Sequence, residues 1–114
     1  MIELHRQQCV PCRLGEPTLT SSEVGELNKQ IPHWDVLVES GILKLTREYS
    51  FDDFVSALAF TNLVGELAES VNHHPDILTQ WGKVTLTWWS HKIKGLHQND
   101  FILAEKSDAL FHSS

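Results

Sequence analysis

Residues 70–77 read SVNHHPDI and set two imidazoles, His73 and His74, side by side where a helical pattern stops. Imidazole has an unperturbed pKa of about 6.5, so it can give or take a proton near neutrality. A third, His91, follows the apolar run VTLTWW at what reads as the end of a strand. Element ends meet at the rim of a layered domain, so the three rings can share one pocket. Glu69 lies one helical turn before His73 and can reach or position it. Asp100 opens the last helical pattern, a short loop beyond His91. Several imidazoles with one or two carboxylates suit general acid–base work on a substrate whose leaving group needs a proton.

Other chemistries fit these residues less well. A histidine at a helix C-terminus can simply complement the dipole. Three histidines can hold zinc, but adjacent residues seldom converge on one ion, and the spacing is neither HxH nor HExxH. A nucleophilic route lacks parts: there is no GxSxG, and neither cysteine sits beside a histidine in a cleft-forming segment. Cys9 and Cys12 are spaced CVPC. A redox role needs a strand leading into a helix, and a zinc site built from His5, Cys9 and Cys12 lacks a fourth ligand. The expectation is an arm with two exposed, reduced thiols and no assigned chemistry.

The chain has 114 residues, about one domain, and 41% hydrophobic content is enough for one core. A domain this small buries a modest share of its surface, so association with copies of itself would add stability. The formal net charge is −6 with no basic stripe, which argues against nucleic acid, whose phosphates must be neutralised by cations. No apolar stretch reaches the roughly 20 residues that span a bilayer. MIELHRQQCV has no basic start followed by a long apolar run, so no secretion signal is read and the expected address is the cytoplasm.

The elements that must position the histidines follow in order. Residues 1–18 read as an irregular arm broken by Pro11, Gly15 and Pro17; residues 19–114 read as one domain. Thr20 or Ser21 caps a first helix, with Glu23 placed for a capping box, and Pro32 ends it. Alternation from Trp34 to Tyr49 around ESG predicts a hairpin. A core helix follows, with Ser50 as its N-cap, Asp52 and Asp53 in its first turn, and Ala57, Phe60, Val64, Leu67, Ala68 and Val71 along its apolar side. Pro75 requires that helix to finish before His74. A strand at about 77–81, a turn at Gly82–Lys83 and a strand from Val84 to about His91 make a second hairpin. The last helix lies after Gly95, with Asn99 or Asp100 near its start. Hairpins rather than crossovers imply an α+β fold, α-β-β-α-β-β-α, with an antiparallel sheet of about four strands and three helices packed on one face.

PHWDV, ALAFTNLVGELAESVNHHPDI and WGKVTLTWWSHKIKGLHQNDFILA together resemble the pterin-4a-carbinolamine dehydratase family, in order from about Pro17 to Leu110. CVPCRLGEP looks like the extension of bacterial members. The resemblance implies removal of water from 4a-hydroxytetrahydropterin, giving the quinonoid dihydropterin, with no redox cofactor and no metal. It implies a functional link to an aromatic amino acid hydroxylase, whose pterin cosubstrate is recycled. His73, His74 and His91 match the family's active-site histidines, with His73 and His91 as proton-transfer groups and His74 positioning substrate. Asn72, Pro75, Trp89, Ser90, Lys92 and Trp34 are expected at the pterin site, and Glu69 and Asp100 are expected to orient imidazoles. Asn72 stands where relatives can have an acid, and Ser90 where threonine is usual. Vertebrate members also serve as dimerisation cofactors of a transcription factor, so a non-catalytic interaction module is the alternative. A homodimer or homotetramer is expected.

Overall fold

A computed structural model describes Leu4, Gln7 and residues 17–113. Cys9, Cys12 and most of the 1–18 arm lie outside the described residues. Helix α1 (Ser21–Asn28) begins with the expected capping box: Glu23 N donates to Thr20 Oγ1 at 3.2 Å, and Thr20 N donates to Glu23 Oε1 at 2.9 Å. Strands β1 (Asp35–Glu39) and β2 (Ile42–Ser50) form the first hairpin. Its two-residue turn, Ser40–Gly41, holds φ of 53° and 78°, the paired positive values whose twist matches the flanking strands.

Helix α2 (Phe54–Val71) starts later than the sequence suggests. Ser50 is not its cap, because it stays in the sheet opposite Lys83. Asp53 takes that place and accepts from Ser56 N at 2.8 Å, so Asp52 and Asp53 both precede the helix. The Ser56 hydrogen bond holds the Asp53 carboxyl below the usual carboxylate range. Strands β3 (Asp76–Gln80) and β4 (Lys83–Trp88) make the second hairpin, and α3 (Gln98–Ser113) closes the domain. β4 stops at Trp88 rather than near His91; beyond it, Ser90 makes one isolated bridge to Gly95.

All strand pairs are antiparallel, in the order β1-β2-β4-β3. Alternation alone leaves open which face meets the helices, and the register decides it. Leu45, Arg47 and Tyr49 lie opposite Trp88, Leu86 and Val84, and five of those six are core residues. From α2 they meet Ala57, Phe60, Val64 and Ala68, and from α3 Phe101, Leu103 and Ala104. The other face carries Lys44, Thr46, Thr85 and Thr87, with Thr46 and Thr87 hydroxyls 3.3 Å apart. By length and composition α2 could cross a membrane. Its side toward the sheet is nonetheless buried in this core, while Phe54, Val55, Leu58 and Leu63 remain exposed on its outer side.

Candidate active site

Helix α2 ends because Asn72 turns left-handed, with φ 51° and ψ 45°. Asparagine tolerates this geometry better than other side chains with a Cβ. Its N–H stays on the last helical carbonyls, and His73 N still reaches Ala68 O at 3.1 Å. Pro75 then prevents any return to helix and leads into β3. Between these two stops the adjacent histidines separate. His73 turns inward and sets Nε2 2.8 Å from Asp100 Oδ1, with its side chain 10% exposed against 0% for Asp100. His74 stays at the surface, where Nε2 meets Glu69 Oε1. Asn72→Gly should retain wild-type stability in urea denaturation, whereas Asn72→Val should lose about 1–2 kcal/mol, the cost of forcing a side chain into the left-handed region.

Asp100 is the junction of the site. Its Oδ1 faces His73, and its Oδ2 accepts from Ser90 Oγ at 2.7 Å and from His97 N at 2.9 Å. The His97 bond is one half of a helix cap. His97 precedes Gln98, the first residue of α3, and its Nδ1 accepts from Asn99 N at 3.0 Å. Asp100 therefore stands where the acidic partner of a capping box stands, with the helix N-terminus favouring its negative charge. One carboxylate starts the helix, fixes an imidazole and ties down the residue before His91. A carboxylate at Asp100 can only accept, which suits a hydrogen on Nε2 of His73 and leaves Nδ1 as the other polar atom of the ring.

Ser90 is buried, and its backbone pairs with Gly95 in both directions, at 2.9 and 3.4 Å. Gly95 cannot be larger without movement: a Cβ there would lie 2.5 Å from Thr18 Cγ2. Leu19 N donates to Leu96 O at 2.9 Å, closing the same loop against the N-terminal segment. His91 is exposed and stacks on Trp89 with ring centroids 4.1 Å apart. Lys92 lies exposed on the turn that follows. Trp34 is buried, and its Nε1 donates to Asp108 Oδ1 at 3.0 Å.

The structure thus brings His73, Ser90 and Asp100 into direct contact and carries His91 on the next peptide. Glu69 pairs with His74 rather than with His73. Sequence reasoning passed over two neighbours. Trp88, read only as part of the last strand, sets its ring 5.9 Å from that of His73 and is anchored through Nε1 to Ser107 Oγ at 3.2 Å. His97 went unnoticed as a cap, although HQND carries an acid three residues on, the spacing of a capping box. Among the described residues no three His, Cys, Asp or Glu side chains are grouped as metal ligands would be.

Residues 17–110 match the family described as pterin 4 alpha carbinolamine dehydratase. A protein of Syntrophotalea carbinolica, provisionally named pterin-4-alpha-carbinolamine dehydratase, is 52% identical over 96% of this chain and 98% of its own length. The crystal structure of a transcriptional coactivator/pterin dehydratase from Brucella melitensis superposes with a TM-score of 0.75 at 29% identity, covering 82% of this chain and 98% of that one. A pterin dehydratase-like protein, identified as a RuBisCO assembly factor in the alpha-carboxysome, shares the fold with a TM-score of 0.60 at 23% identity, over 71% of this chain and 92% of that one. With its histidines placed as described and both sequence and fold matched across nearly the whole domain, this chain belongs to the pterin-4-alpha-carbinolamine dehydratase family.

Proposed function

We propose that the protein dehydrates 4a-hydroxytetrahydropterin to quinonoid dihydropterin. The observation that carries this reading is the inward His73, fixed by buried Asp100, which also holds Ser90, the residue before His91. In the reaction the C4a–O bond breaks and the hydroxyl departs as water after taking a proton. The neighbouring ring nitrogen loses its proton, and the electron pair left behind forms the new C=N bond. Proton uptake and release balance, with no electron acceptor. His73 suits the base, because a carboxylate at Asp100 favours the Nε2–H tautomer and orients the ring with Nδ1 as the proton acceptor, as a carboxylate does behind a catalytic imidazole. His91 suits the acid, and exposed His74 suits substrate positioning. Backbone groups from Trp89 to Lys92 can read the donors and acceptors of the flat heterocycle. The product is one that a reductase returns to the tetrahydro form used by aromatic amino acid hydroxylases, and the setting is cytoplasmic. Self-association through the apolar outer side of α2 would cover Phe54, Val55, Leu58 and Leu63.

The name of the Brucella protein joins coactivator and dehydratase, which keeps an interaction module of the same fold as the second reading. One assay separates them: chemically generated 4a-hydroxytetrahydropterin followed by absorbance with and without the protein. Micromolar protein should speed its decay well beyond the buffer rate. Equal rates would remove the enzymatic reading and leave the module.

A further inference from the structure

Lys44 is an unusual residue to find covered. It lies on the sheet face away from the helices, yet it is only 7% exposed, and lysine is almost never buried without a partner. Its place explains the burial. Leu45 pairs with Trp88 across β2 and β4, so Lys44 lies beside the next residue, Trp89, just past the end of the ladder. The Lys44 ammonium sits 3.9 Å from the centroid of the Trp89 ring. It also meets Glu39 Oε1 at 2.5 Å, from the far end of β1. The same indole stacks on His91 at 4.1 Å with an interplanar angle of 27°. Together, these distances place the ammonium no more than about 8 Å from the imidazole, roughly one Debye length in physiological salt.

We infer that Lys44 is a positioning residue for His91, acting through Trp89. A cation is drawn to the electron-rich face of an indole, most strongly where both are shielded from water. Glu39 tethers the ammonium, the ammonium fixes the indole, and the indole gives His91 a flat surface to rest on. His91 needs such support. It lies beyond the last ladder pair of β4 and is itself exposed, so the backbone alone leaves its ring free to choose rotamers. His73 has a buried carboxylate to fix it; for His91 the cation and the indole do that work. The Trp89 side chain thereby serves the imidazole, while its backbone remains available to the pterin ring.

The inference rests on the proposed role of His91 in proton transfer, and the test keeps the two apart. Lys44→Met retains the hydrophobic stem and removes the charge; Lys44→Arg retains a cation able to lie over the indole. In proton–carbon correlation spectra of the folded protein, the His91 ring protons should move toward random-coil shifts in Lys44→Met and stay near wild type in Lys44→Arg. That readout needs no turnover. In the dehydration assay Lys44→Met should lower kcat about tenfold with KM within twofold, as a displaced catalytic group does. Lys44→Arg should recover most of the loss, and Lys44→Met should add nothing in a His91→Ala background. Unchanged His91 shifts in a folded Lys44→Met protein would overturn the inference whatever the activity. Shifts that move while kcat holds would retain the contact but refute its bearing on catalysis.

Discussion

His73→Gln should lower the dehydration rate by about 100-fold or more, the usual loss when a positioned acid or base is removed. Glutamine is the informative replacement. Its amide N–H₂ can stand where Nε2–H stands and continue to satisfy Asp100, which is fully buried. Alanine would leave that carboxylate short of a donor, and a stability loss would then be mixed with the catalytic one. With glutamine the Asp100 contact survives, and what disappears is the basic lone pair on Nδ1. The loss should therefore fall on kcat, with binding of the product pterin, measured by fluorescence titration, within a fewfold of wild type. Full turnover in a folded His73→Gln protein would show that the ring does not exchange the proton. Asp100→Asn supplies the complementary case. It keeps the shape of the junction but weakens the charge-assisted bond to His73 and the preference for the Nε2–H tautomer.

Much of this arrangement was legible because it rests on local rules. The Thr20–Glu23 capping box, the ESG turn and the stop before Pro75 each follow from a few adjacent residues, and all three stand in the structure. Adjacent histidines at a helix end, with His91 after a strand, were enough to nominate the site. What stayed hidden depends on partners distant in sequence. Ser50 looks like a cap, but ladder pairing to Lys83 keeps it in β2 and passes the cap to Asp53. Glu69 is one turn from His73, yet the left-handed Asn72 swings His73 inward and leaves Glu69 to His74. Lys44 reads as an ordinary strand lysine until the register puts Trp89 beside it. Trp34 shows the same dependence. Its nomination came from resemblance, while its indole N–H is held by a carboxylate that no local pattern marks.

That carboxylate, Asp108, carries the second large expected effect. Its Oδ1 accepts from Trp34 Nε1 at 3.0 Å, from Arg47 Nη1 at 2.6 Å and from Tyr49 hydroxyl at 2.5 Å. The Asp108 and Arg47 side chains are 17% and 13% exposed, so little water is at hand to replace a lost partner. Asp108→Ala would strand a phenol, an indole N–H and a guanidinium together. Breaking a buried pair in this way costs about 3–5 kcal/mol, so the melting temperature should fall by more than about 10 °C. Asp108→Asn, which retains an acceptor oxygen, should fall between the two. A loss under about 1 kcal/mol in Asp108→Ala would mean that the cluster adds nothing beyond ordinary surface pairing.

The same cluster gives a pH dependence of defined sign. Burial first, then the hydrogen bond to Asp108, pushes the Tyr49 hydroxyl far above the usual tyrosine value. The folded state therefore holds the phenolic proton more tightly than the unfolded chain does. Its contribution is complete below the unfolded pKa of about 10 and is lost as pH rises beyond it. Wild-type stability should decline above about pH 10, and Tyr49→Phe, though less stable at neutrality, should decline less steeply. Equal alkaline slopes would exclude Tyr49 as the source. Asp108 lies eight residues beyond Asp100 on α3, about 12 Å along the helix axis, and so serves the core rather than the histidines. Folded Asp108→Asn should consequently keep wild-type kcat while its melting temperature drops, the opposite pattern from His73→Gln.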